Sequence, residues 1–425
     1  ITLSGGGWVD LNDLEYANGP IGDLRLRLVS RGNSLSLDRS RLKLAKGGQI
    51  QFEGAVYWEE EVPSLDLTVS TEDLSVQEVA SLLPFKVPVE LQGKVDTEAK
   101  VTGSMFQPEL HGKLTAEKMR LAGRLVDRVA ADWSWKQGVF SLQEAELRQG
   151  GGLVRLSGDF GSDHRLNLAV VAEAFPLEAL ELKLGGVPIQ GKVGLSGVVQ
   201  GDFAHPVVRG QVVGETVNLA GIVIRRIEGG ITWQDQRLEF LDIIADRVEQ
   251  RVRLNGCLDL AGEPEMDLEL NLEATRLSEL LLIVGFRPQI PTDGIITGRL
   301  QLAGPVSEPR IRILANLDRG YIDGYQKLQG QLEVEICGQV TTIHRIKFTD
   351  GEGTLAINGK YSPGRDFALN LAVRNFSLQP LGEILHQPLQ GRLDFTAGIT
   401  AGEKGLSGQL AGKLRAGKWG GIELA

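Results

Sequence analysis

Two groups of side chains are spaced to do chemistry. Glu383 and His386 stand three residues apart in a stretch that reads as helix, which puts a carboxylate and an imidazole on one face, and Asp159, Asp163 and His164 gather at a turn. The first would be part of a metal site and the second an acid–base relay. Neither is completed. A metal needs further convergent ligands, and the other histidines, His111, His205 and His344, fall at unrelated places. The turns matching Asp159–His164 hold Glu263-Pro264-Glu265 and Pro363-Gly364-Arg365, so no acid–base group recurs. Neither a G-x-S-x-G elbow nor a phosphate loop occurs, and Gly5-Gly6-Gly7 and Gly151-Gly152 lack the strand-to-helix setting of dinucleotide binding. Cys257 and Cys337 are the only cysteines. They could pair, but two unrelated buried thiols is the expectation. The chain reads as a non-enzyme with no cofactor and no metal.

The net charge of −10 and the lack of any Lys/Arg run argue against nucleic acid and against a polybasic membrane patch. A hydrophobic content of 42% excludes a disordered chain, while 54 glycines and only 6% aromatic residues promise many turns and few large core side chains. An apolar run such as Leu280–Val284 is far too short to span a bilayer. The chain starts and stops inside a repeat, so an excerpt of a longer protein is expected.

What must position any site is that repeat. Stretches beginning at Ser64, Arg165, Glu265 and Asp366 resemble one another, and aligning Leu74, Phe175, Leu277 and Phe376 gives a period of roughly 100 residues. Each copy opens on an alternating strand such as Leu166-Asn167-Leu168-Ala169-Val170 and continues into a short helix. Ser75 and Glu78 suggest a capping box there, Pro176 suits a first helical turn, and Ser278 and Ser377 take the matching position. A new strand follows at Gln92-Gly93-Lys94-Val95, Gln190-Gly191-Lys192-Val193, Gly298-Arg299-Leu300 or Gln390-Gly391-Arg392-Leu393.

Period-two alternation between the helices, as in Leu24, Leu26 and Leu28 against Arg25 and Arg27, implies antiparallel meanders of about six mostly short strands per unit. Gly54, Gly158, Gly256 and Gly359 end one recurring block. Gly103, Pro108 and Gly112, mirrored by Gly201, Pro206 and Gly210, read as a turn between strands. The fold class expected is all-β, an elongated repeating groove of mostly antiparallel strands, with one short helix per repeat to carry the chain across to the starting rim. The expected boundaries are 1–89, 90–188, 189–296, 297–388 and a truncated 389–425. Its apolar face needs a cover: a packed sandwich or β-helix, a partner chain, or a trough sheltering small apolar molecules.

The recurring L-x-L-x-V, the LS/FP/LS/FS step, the helix, QGKV/QGRL and the G-x₄-P-x₃-G spacing resemble the TamB branch of the AsmA-like superfamily over essentially the whole chain. The resemblance implies a β-taco whose interior carries phospholipids between the inner and outer membranes of diderm bacteria. It also implies a periplasmic location, an inner-membrane anchor outside this stretch, and an Omp85-type outer-membrane barrel as partner. A monomer is expected. The lining would be Leu24, Leu26, Leu28, Leu65, Leu67 and Val69 in the first repeat and Val154, Leu156, Leu166, Leu168 and Val170 in the second. Val252, Leu254, Leu268, Leu270 and Leu272 would continue it, then Leu355, Ile357, Leu369, Leu371 and Val373. The alternative is a periplasmic scaffold that assists outer-membrane protein assembly by pairing strand edges.

Overall fold

A computed structural model describes residues 4–16, 19–45, 47–58, 62–77, 90–121, 123–161, 165–180, 183–184, 187–202, 204–219, 222–247, 250–283, 291–322, 325–362, 367–379, 382, 387–402, 405–419 and 422–424. Glu78, Asp163, His164, Val284, Glu383 and His386 lie outside these residues, and with them the capping box and both candidate chemical groups.

The chain is all-β: among the described residues 27 strands form an open sheet whose described pairings are all antiparallel. It forms two compact units, Ile1–Gly214 and Glu215–Ala425. In the first, one complete block runs Lys94–Ser104, Gln107–Leu121, Arg124–Lys136, Val139–Gln149, Gly152–Phe160 and Arg165–Pro176. In the second, Thr292–Pro305, Arg310–Ile322, Tyr325–Cys337, Val340–Thr349, Thr354–Tyr361 and Phe367–Ser377 repeat it. Six strands per block is the expected number. They are not short: they run from 8 residues to 15.

Strands this long stay shaped to one face because bulges interrupt them. Ser34–Leu44 is a single strand in which the apolar phase passes from Leu35 and Leu37 to Leu42 and Leu44. A bulge between Leu37 and Ser40, with Arg39 at φ 47°, makes that shift. Equivalent shifts fall between Leu142 and Ala145, Phe240 and Ile243, and Ile343 and Ile346.

A second bulge precedes each helical segment, at Asp73, Ala174, Ala274 and Asn375, all in the left-handed region (φ 57°, 48°, 50° and 51°). It corrects the sequence alignment. Leu74, Phe175, Thr275 and Phe376 follow the bulge and pair with Val95, Val193, Ile296 and Leu393, so the third copy opens at Thr275, two residues before Leu277. Asp96 and Asp394 steady the first and last of these bulges, each accepting the bulge N–H at 2.8 Å. Gly194 and Thr297 hold the same place in the middle repeats.

The third repeat carries an α-helix, Leu277–Ile283. In the second, the strand runs through Pro176 and a 3₁₀ turn, Leu177–Leu180, follows, so this proline ends a strand instead of opening a helix. The helical segment does not carry the chain across the sheet. The strands on either side of it are antiparallel neighbours, through Ser75 and Lys94, Pro176 and Lys192, Arg276 and Ile295, and Ser377 and Arg392. Six antiparallel strands already return the chain to the rim it left, so no crossing is required.

Close packing sits at this helix rim. Leu74, Val76, Val95, Ala116, Met119, Val126 and Val129 form one cluster. Leu272, Leu277, Leu280, Ile296, Leu300, Ile313, Ala315 and Leu317 form another in the second unit. The glycine–proline motif is only partly a turn: Ser104 and Gln107 flank the turn, whereas Pro108 and Gly112 lie inside Gln107–Leu121.

Candidate functional site

The residues expected to line a groove share one face within each unit, and their strand partners are apolar or glycine. Val69 faces Phe52 and Ala99, Leu65 faces Val56, and Leu24 and Leu28 face Leu42 and Leu37. Leu156 lies between Ala145 and Val170, and Val154 between Leu147 and Ala172. In the second unit Leu254 joins Ile243 to Leu270, and Leu270 continues to Leu300. Val252 meets Leu272, Leu355 meets Val373, and Ile357 meets Leu371.

One position shows how tightly the repeat is specified. Gly54, Gly158, Gly256 and Gly359 pair with Leu67, Leu168, Leu268 and Leu369, at φ between 127° and 141°. A Cβ there would come within 2.0–2.1 Å of a carbonyl oxygen on the partner strand, so only glycine fits. That pairing makes Leu67, Leu168, Leu268 and Leu369 the equivalent leucines.

Burial along this face is uneven. Leu166, Leu168, Leu272 and Val373 are buried, while Leu26, Leu67, Leu254, Leu371 and the other expected lining residues are only half-buried. Charge lies on alternate positions. Arg155, between Val154 and Leu156, reaches Glu173 at 2.7 Å and Glu146 at 3.3 Å, and Arg253, between Val252 and Leu254, reaches Asp242 at 2.9 Å. Arg148 donates a hydrogen bond to Glu146 and, against the cost of desolvation and with help from Arg155, holds that carboxyl below the usual range. In these two strands the charged, paired side chains therefore alternate with the apolar ones and take the opposite face.

At the helix rim, side chains tie the third or fourth strand of a block to its last strand or the segment after it. Arg124 donates to the carbonyl of Ala179. Arg247 pairs with Glu279 and donates to the Val223 carbonyl at 2.9 Å. The Tyr325 hydroxyl donates to the Ser377 carbonyl at 3.0 Å, and its ring lies 5.1 Å from that of Phe376. Tyr325–Cys337 and Phe367–Ser377 are separated by two strands, so the sheet must curl strongly there.

Under the Tyr325 tie lies an apolar cavity of about 330 Å³. Leu355, Ile357 and Val373 line it, as expected of groove residues. Tyr325, Phe348 and Phe395 also line it and were missed, because isolated aromatics in separate strands carry no periodic signal until the curl unites them. Cys257 is half-buried and Cys337 is exposed, and both are free, so the expectation of two buried thiols fails at Cys337. Among the described residues no cluster of three or more His, Cys, Asp or Glu could hold a metal, and no helix is long and apolar enough to cross a membrane.

Residues 38–132 match the family model of the TamB C-terminal domain. A search of curated proteins finds no match.

Proposed function

The chain carries a TamB C-terminal domain over residues 38–132, and on that premise we propose that it is a non-enzymatic conduit for phospholipids in the periplasm. The family match supports a role in membrane assembly or lipid transport in general. The finer reading rests on one observation: the apolar face is continuous through the strand register of each unit yet half-buried over most of its length. A face built only as core would bury these leucines, at about 25 cal/mol per Å² gained. A face that shelters acyl chains leaves them accessible while charge is kept to the other side.

The mechanism needs no reacting group. Acyl chains slide along Leu, Val and Ile side chains, and headgroups remain in water at the open side. Pairing edge to edge with another protein's strands is less well supported. Every strand from Lys94–Ser104 to Arg165–Pro176 is already paired on both edges.

Native mass spectrometry with lipid extraction tests the proposal. Several phospholipids per chain are expected, with loss in Leu67→Asp and Leu254→Asp. These half-buried positions are better probes than buried Leu168, where a carboxylate would act mainly by unfolding the strand. A stable, lipid-free protein that refuses added phospholipid would end the conduit reading.

A further inference from the structure

The third and fourth repeats differ after the bulge. With Ala274 and Asn375 in register, Gly382 stands where the third repeat has Leu281. Leu281 packs against a cluster in which Leu280, Ile296, Leu300 and Leu317 are almost wholly buried. Gly382 brings no side chain to the matching place, and its N–H is bonded to the Leu378 carbonyl at 2.9 Å. A Cβ at Gly382 would meet Gln387 and Leu389, so the apolar cavity beneath Tyr325 is a separate feature, walled by strand residues together with Ser377 and Leu378.

We propose that this cavity binds one acyl chain of a phospholipid as a fixed station, an inference that rests on the conduit reading. The wall is hydrocarbon from Ile322, Leu328, Phe348, Leu355, Ile357 and Phe395. Among the described wall residues two carry hydroxyls: that of Tyr325 is donated to the Ser377 carbonyl, and that of Ser377 accepts the Gln379 N–H at 3.4 Å. A peptide segment seated here would bury amides with nothing to bond, so neither this chain's own backbone nor a second copy fits. Size selects the guest further. A dry cavity of about 150 Å³ holds a benzene-sized ligand, so this one has room for about a dozen carbons, most of one acyl tail and not two.

Charge beside the cavity favours an esterified chain over a free fatty acid. Asp350 lies 3.5 Å from the N–H of Ser377, a wall residue, and Glu352 follows on the same loop. The nearby Arg392 is paired with Glu352 and donates to the Asn375 carbonyl at 2.8 Å. A carboxylate headgroup would meet two acids and a cation already in use.

The experiment uses the whole chain and a phosphatidylcholine carrying a diazirine midway along one acyl chain, with adducts mapped by mass spectrometry after irradiation. Adducts are expected to concentrate on the cavity wall. Ile357→Trp, which fills the cavity, should reduce them at least fivefold and leave labelling in the first unit unchanged. Phe395→Leu, which enlarges it, should raise them, and this second variant decides the matter if the first folds poorly. Even labelling of all repeats, unmoved by either substitution, overturns the station while the conduit stands. No labelling anywhere overturns both. Equal labelling of the cavity by a free fatty acid with the same diazirine overturns the esterified-chain assignment.

Discussion

At the bulge before each helical segment, three repeats place a large apolar side chain and the third places Thr275, whose Oγ1 is buried without a hydrogen-bond partner. Burying an unmet hydroxyl costs about 1–3 kcal/mol. Thr275→Val keeps the shape and removes the hydroxyl, so it should stabilise the protein by about 1 kcal/mol, read as a higher urea midpoint. A lower midpoint would mean that the hydroxyl finds a partner in solution. Asp350 carries the clearest pH dependence. Burial pushes its carboxyl up, but N–H donors from Gly353, Glu352 and Ser377 and the charge of Arg392 hold it below the usual range. A carboxyl depressed in the folded state stabilises fully above its unfolded value of about 3.9 and loses that contribution as pH falls through the folded value. Hydrogen exchange at Glu352 and Gly353 should therefore rise below about pH 4 beyond what the intrinsic rate explains, and Asp350→Asn should abolish that excess.

The strand is the unit at which the repeat pattern becomes geometry, and two positions on adjacent strands should respond to opposite changes. Gly256→Ala drives a Cβ to 2.0 Å from the Asp267 carbonyl and should cost more than about 2 kcal/mol. Ala274→Gly relieves a left-handed alanine and should be neutral or stabilising by up to about 1 kcal/mol. Thermal denaturation of both variants checks the pair, and equal losses would remove the strain argument. Much of this was legible in the sequence. Alternation and turn residues gave strand identity, antiparallel order and six strands per block, and the recurring Gly54, Gly158, Gly256 and Gly359 marked a real constraint. The bulges were not legible, because Ala174 and Ala274 carry no sign of a positive φ. A missed bulge shifts register, which is why the third copy was read from Leu277 instead of Thr275 and why strand length was underestimated at Ser34–Leu44.

At the scale of the whole chain, each of the two clusters at the helix rim is local in sequence and joins the end of one repeat to the start of the next. The cluster around Leu300 draws its buried members only from residues 272–317, and the one around Val95 only from 74–129. Leu300→Ala should remove about 2–5 kcal/mol locally and speed hydrogen exchange in strands from Glu265 to Cys337, leaving the Val95 cluster unchanged. Uniform acceleration throughout the chain would show global cooperativity instead. The candidate site was legible as a face but not as a cavity, because alternation reports which side a residue takes and is silent on how far the sheet curls. The sequential pairing has a further consequence. In each complete block every long strand bonds to the one made just before it and the one made just after. Such a chain can fold while it is still being synthesised or threaded through a membrane pore, each emerging strand adding to a finished edge, with no wait for a distant partner.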